Sequence, residues 1–137
     1  MNLTLTQLRE FAVRYTAAWC SHNAASVAAL YSPNGSLSIN EAAPSVGRGA
    51  IEVAVQEFMT AFPDLQLFLE DISISGERVV YRRTLTGTNT NPWGTEHHVR
   101  ISGFETWRMS DDGLIAESQG HFDRDDFARQ MQGGPSS

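Results

Sequence analysis

The chain holds one cysteine, Cys20, among 137 residues. No disulfide can form within it, which fits a reducing compartment. The lone thiol falls in a helical pattern and reads as buried and inert rather than as a nucleophile. No apolar run approaches the length needed to span a bilayer. The N-terminal MNLTLTQLRE lacks the basic region and apolar run of a signal peptide. The expectation is a soluble, cytoplasmic protein. Basic clusters are also missing: arginines stand singly or as the pair Arg82-Arg83, the net charge is −6 and the pI is about 5.1. Nucleic acid and anionic membrane are therefore not expected as partners.

Signature motifs are absent too. There is no glycine-rich phosphate loop and no Gly-x-Ser-x-Gly elbow. The histidines are His22, His97, His98 and His121, and no pair has metal-ligand spacing with a third ligand nearby. No metal and no cofactor are expected, and motifs alone give no reaction class.

The apolar pattern that is present specifies one domain. Thr4 and Gln7 have capping-box spacing ahead of a helical repeat, Leu8, Phe11, Ala12, Tyr15, Ala18 and Trp19, which predicts a helix over residues 5 to 20. Ser21 and Asn23 can cap a short second helix with Val27, Leu30 and Tyr31 inside. Ser32-Pro33-Asn34-Gly35 reads as a turn before a short strand over 36–39, followed by a loop containing Pro44 and Gly47. Ile51, Val55, Phe58, Met59 and Phe62 mark a third helix, stopped by Pro63. Strands follow over 65–72, 78–90, 95–109 and 114–123, separated by turns at 75–77, at Asn91-Pro92-Trp93-Gly94 and at 110–113. A short helix over about 125–131 precedes a flexible tail, 132–137. Helices first and strands later predict an α+β fold, with helices packed on one face of a curved, mostly antiparallel sheet.

One stretch carries an unexpected charge. In ISGFETWRMS, residues 101–110, strand alternation puts Ile101, Gly103, Glu105, Trp107 and Met109 on one face. That face is the apolar one, and Glu105 is on it.

The order of these elements resembles the superfamily of ketosteroid isomerases and SnoaL-like polyketide cyclases, the cone-shaped fold shared with nuclear transport factor. The likeness runs from about Phe11 to Met131. It is carried by FAVRYTAAWCSHNAASVAALYSPNGSLSI, VGRGAI, FPDL, VVYRRTLTGTNT and RISGFETWRMSDDGLIAESQGHFD. It implies a sheet wrapped around the N-terminal helices as a cone-shaped barrel with an internal apolar pocket, and a homodimer through the outer sheet face. The closest likeness is to the SnoaL-like branch, with Gly87-Thr88-Asn89-Thr90 where members typically show Gly-Thr-His-Thr.

Residue by residue, the resemblance puts Tyr15, in Val13-Arg14-Tyr15-Thr16-Ala17-Ala18, at the oxyanion-binding tyrosine of the isomerases. Glu105 falls where they hold a protonated aspartic acid. Their general base falls on Ile39, with Asn40 next, and the base of the SnoaL-like cyclases falls on Gly120. Neither position has a carboxylate here.

The same face assignment gives a pocket wall. Glu105, Tyr15 and Arg83 are the candidate catalytic residues. Trp19, Leu85, Asn89, Trp107, Ser118 and Phe122 are the candidate substrate-binding residues, with Gly87, Gly103 and Gly120 removing wall volume or marking bends. If Arg83 points inward it can hold Glu105 as a bidentate ion pair with a depressed pKa; if it points elsewhere, burial raises that pKa and makes a tuned acid. Both answers stay open in the sequence. So do three functions. One is an isomerase, cyclase or hydrolase acting on a small apolar polyketide-, steroid- or terpene-like molecule; limonene epoxide hydrolases share the fold, but their Asp-Arg-Asp set has no evident third member here. The others are a non-catalytic ligand-binding module and a structural dimer with a filled core.

Overall fold

The computed structural model describes residues 3–90 and 96–133. The expected turn at 91–94 and residues 134–137 of the expected tail lie outside the described residues.

Helix α1 spans Leu5–Cys20. Its start is fixed reciprocally: Thr4 Oγ1 accepts from the Gln7 amide (3.1 Å), and Gln7 Oε1 accepts from the Thr4 amide (2.8 Å). Leu8, Phe11, Ala12, Tyr15 and Trp19 form its buried stripe, the 3.6-residue period read from the sequence. α2 is one short turn-and-a-half, Ala24–Ala28, capped by the Asn23 side chain on the Ser26 amide. α3 runs Arg48–Ala61, burying Ile51, Val55 and Met59, and ends at Phe62 before Pro63.

The strands are β1 (Tyr31–Ile39), β2 (Ser45–Val46), β3 (Gln66–Ser75), β4 (Arg78–Thr90), β5 (Glu96–Met109) and β6 (Ile115–Phe122). They form one sheet in the order β2-β1-β6-β5-β4-β3, antiparallel except for the parallel β1–β6 pair. The expected α+β architecture is present, with an open sheet whose edges are β2 and β3. The last helix, α4 (Arg124–Gly133), starts where Asp123 Oδ1 accepts from the amides of Asp125 (3.0 Å) and Asp126 (3.1 Å).

One element departs from the sequence reading. Ser32-Pro33-Asn34-Gly35 does not turn the chain away. It is an irregularity inside β1, where the register on β6 shifts between Tyr31 and Ser36. Gly35 lies so close to β6 that a Cβ there would stand 2.8 Å from the Ile115 carbonyl oxygen. The loop with Pro44 and Gly47 also contributes β2, paired to Ser36 and Leu37.

The core lies between the helices and the sheet's inner face. Tyr15 and Phe11 of α1 meet Trp107 edge-on (5.0 and 5.5 Å between ring centres), and Tyr81 stacks on Trp107 at 4.8 Å. Aromatic pairs of this kind add about 0.5–1.5 kcal/mol each beyond area burial. None of these four rings lines the cavity described below.

Candidate functional site: a buried carboxylate at a cavity wall

β5 delivers Glu105 to the inner face between Tyr81 of β4 and Gly120 of β6, its direct partners in the two ladders. The residue is 4% exposed. Burial of this carboxylate is made tolerable by donors. Its Oε1 accepts from the Tyr15 hydroxyl, from Trp107 Nε1 and from Ser118 Oγ, each at 2.9 Å. The three donors come from fully buried residues on α1, β5 and β6, so the carboxylate is fixed by three elements at once. Tyr31 extends the network, its hydroxyl 3.0 Å from that of Tyr15.

Arg83 does point inward, but it does not make the bidentate pair anticipated from the sequence. Its Nε lies 4.0 Å from Glu105 Oε2, at the long limit for an ion pair. The reason is register. Arg83 is paired with Gly103, and its guanidinium lies over that glycine, where a Cβ would stand 2.3 Å from Nη1. The arginine fills the side-chain space that Gly103 leaves. Phe62 does the same at Gly87, 3.0 Å from the position of a Cβ there. Of the three wall glycines, Gly120 is the one that opens space into the cavity.

The cavity measures about 670 Å³, the solvent at its mouth included, so the enclosed part is smaller. Glu105, Arg83 and Gly120 line it together with Trp19, Leu85, Ile39, Phe58, Phe62, Phe122 and Phe127. Phe127 of α4 meets Phe62 (6.2 Å) and Phe122 (5.5 Å) edge-on. Glu105 is the sole carboxylate among the lining residues, and Arg83 the sole cation. Among the described residues, no three His, Cys, Asp or Glu side chains gather where they could hold a metal ion.

The sequence-derived wall is thereby divided. Glu105, Arg83, Trp19, Leu85 and Phe122 line the cavity. Tyr15, Trp107 and Ser118 do not: each has no exposed surface, and each donates to Glu105 from behind. The Tyr15 hydroxyl is engaged by Glu105 and Tyr31 in this arrangement. Asn89 is also displaced, its amide donating to the Ala61 carbonyl at 2.8 Å and closing the C-terminal end of α3. Phe58, Phe62 and Phe127 were missed as lining residues. Their apolar character was visible, but which end of the interior they close depends on helix packing between distant segments.

Burial pushes the Tyr15, Tyr31 and Tyr81 phenols above their usual range, and the neighbouring Glu105 charge pushes them further the same way. All three therefore act as O–H groups at neutral pH. Among the described residues, two buried side-chain nitrogens have no hydrogen-bond partner, Trp19 Nε1 and Arg83 Nη1. The Trp19 indole offsets a minor part of the upward push on the Tyr15 phenol.

None of the curated proteins matches this chain. Solved structures do. A SnoaL-like polyketide cyclase candidate from Jannaschia sp. CCS1 superposes with a TM-score of 0.80 at 17% identity, covering 98% of this chain and 99% of that one. A protein of ketosteroid isomerase-like fold from Catenulispora acidiphila DSM 44928, in complex with trimethylamine, gives 0.78 at 17% identity over 92% and 94%. The epoxide hydrolase/cyclase-like enzyme SalBIII, of pyran ring formation in the polyether salinomycin, gives 0.76 at 15% identity over 88% and 94%. At these identities the likeness establishes the fold. The sequence profile of SnoaL-like polyketide cyclases matches residues 9–131, nearly the whole chain, and the chain belongs to that family.

Proposed function

We propose that this chain is a cofactor-free isomerase or cyclase for a small apolar molecule, with Glu105 moving a proton to and from carbon. One observation carries the reading: Oε1 is occupied by three donors, which leaves Oε2, on the Arg83 side, as the oxygen available at the cavity wall. A carboxylate held from behind in this way is fixed in orientation before substrate arrives, the condition for efficient proton transfer. The apolar wall holds the carbon skeleton. An epoxide hydrolase with two carboxylates around an arginine is less well supported, because among the described residues no second carboxylate lines the cavity. The sequence has no lysine, so Schiff-base activation of a carbonyl is outside its means.

The test is exchange of the acidic C–H protons of 2-tetralone in D2O, followed by NMR. The parent should accelerate exchange, and Glu105→Gln should lose at least ~100-fold of that rate. Exchange by Glu105→Gln at the parental rate would refute the assignment. A second reading, ligand binding without chemistry, is favoured by Ile39 and Gly120 at the two positions where the family resemblance calls for a base. No exchange by a parent protein that binds the ketone would establish it.

A further inference from the structure

The chain leaves β1 through two residues with positive φ, Asn40 (50°) and Glu41 (66°). Asparagine is one of the few side chains that enter this left-handed region readily. Glycine would enter it at lower cost, so the conformation alone does not account for an asparagine. Its hydrogen bonds do.

Three groups of Asn40 bind three alternate residues of the neighbouring segment. Its amide donates to the Gly120 carbonyl (2.8 Å), its Oδ1 accepts from the Phe122 amide (3.0 Å), and its carbonyl accepts from Arg124 Nη2. In a regular parallel ladder, a residue whose amide donates to position 120 accepts from the amide of 122 with its own backbone carbonyl. Here the side-chain oxygen takes that part. The backbone carbonyl is left for Arg124, the first residue of α4. One residue thus ends β1, extends the pairing of β6 by one bond and ties down the start of α4.

The segment held in this way is cavity wall. Ile39 precedes Asn40, and Gly120, Phe122 and Phe127 belong to the tied segment; all four line the cavity, while Asn40 does not. Among the described residues, Phe127 is the lining residue that α4 contributes. Its ring centre lies 5.5 Å from that of Phe122. Where β6 stops and α4 begins therefore decides where the two rings stand.

We infer that Asn40 is a positioning residue for the ligand: its side-chain oxygen, in place of a strand carbonyl, sets the Phe122–Phe127 wall and with it the fit of the apolar skeleton. The inference rests on the reading of this cavity as the ligand site. Glu105 keeps its donors Tyr15, Trp107 and Ser118 whatever stands at position 40. A change at Asn40 should therefore act on affinity and leave the proton step.

The test compares Asn40→Gly, which keeps the positive φ and removes the acceptor, with Asn40→Asp, which keeps both. In equilibrium dialysis Asn40→Gly should bind 2-tetralone about tenfold more weakly than the parent, and Asn40→Asp within about twofold of it. Without ligand, NMR contacts of the Phe127 ring with Phe62 and Phe122 should weaken in Asn40→Gly and persist in Asn40→Asp. Exchange by Asn40→Gly at saturating ketone should stay within about threefold of the parent. Parental affinity in Asn40→Gly would overturn the inference, as would failure of Asn40→Asp to restore binding, or a parent that does not bind the ketone. If Asn40→Gly does not fold, Arg124→Met, a change at an exposed residue, releases the Asn40 carbonyl alone; it should weaken binding about threefold, and parental affinity there would likewise overturn the inference. A parent that binds 2-tetralone and exchanges none of its protons would remove the proton-transfer reading, while the binding and ring-contact results would still decide the role of Asn40.

Discussion

Ile39 and Gly120 are direct partners in the parallel β1–β6 ladder. Far apart in sequence, they form one patch of cavity wall, and they are the two positions that the family resemblance matches to a catalytic base. The wall lacks a carboxylate there and has one next door: a Cβ on Gly120 would stand 3.7 Å from Glu105 Cγ. The proton transfer proposed above therefore rests on Glu105 of β5.

Gly120 and Gly103 should respond oppositely to alanine. At Gly120 the new methyl meets its neighbours at 3.6–3.7 Å, ordinary contact, whereas at Gly103 it would stand 2.3 Å from both Arg83 Nη1 and the His121 carbonyl oxygen. Urea unfolding should show Gly120→Ala within ~1 kcal/mol of the parent and Gly103→Ala destabilised by about 1–3 kcal/mol. Equal stabilities would contradict the placement of Arg83 over Gly103.

Removing Glu105 should cost more than removing Arg83. Glu105→Leu strands three buried donors and leaves the arginine without its counter-charge, a loss of about 3–5 kcal/mol. Arg83→Met leaves the carboxylate with its three donors and should cost roughly 1–2 kcal/mol. A reversed order in denaturant melts would mean that the 4.0 Å ion pair, and not the network on Oε1, holds the carboxylate.

Alkaline pH should expose the buried phenols only by unfolding. The three tyrosines of the chain are fully buried, and each holds its proton more tightly in the folded state than at the ordinary value of 10.0. A raised folded pKa gives stability that is complete below pH ~10 and declines as pH climbs above it. Absorbance at 295 nm should stay flat until circular dichroism reports unfolding. A tyrosinate signal from the native protein near pH 10 would contradict the burial. Asp64 works in the other direction. Partial burial pushes its carboxyl up, but hydrogen bonds from the Thr88 hydroxyl and amide outweigh this and hold it below 3.8, so its contribution is present above that pH and fades below it.

Gln130 should govern how firmly α4 closes the cavity. Its side chain is 5% exposed and meets both backbone groups of Arg100, accepting from the amide at 2.7 Å and donating to the carbonyl at 3.2 Å. This helix carries Phe127 to the cavity wall. Gln130→Ala should raise hydrogen exchange at the Arg100 amide and along α4 while leaving β4 protected. Unchanged protection at α4 would show that Phe127 packing alone seats the helix.

Much of this arrangement was legible in the sequence, for physical reasons. α1 was readable from its capping box and 3.6-residue stripe, and the inward face of β5 from alternation. Glu105 was conspicuous because the same alternation put a charge among apolar residues. Depth along a strand was not readable. Trp107 and Ser118 share the inward face with Glu105, but α1 lays Phe11 and Tyr15 over that end, so they support the site without lining the cavity. The irregularity at 32–35 was hidden because Pro33-Asn34-Gly35 has the chemistry of a turn, and only the nearness of β6 keeps it in a strand. Phe127 joins the cavity wall through contacts with Phe62 and Phe122, and contacts between distant segments leave no local pattern.

The open space at Gly120 has an evolutionary consequence. Every glycine codon is a single transition away from an aspartate or glutamate codon. A mutation of that kind would add a carboxylate beside Glu105, on a Cβ that meets its neighbours at ordinary contact distance. Ile39 offers no such path, since no isoleucine codon reaches an acidic one in a single base change. A change in how this scaffold handles protons is thus most accessible through β6.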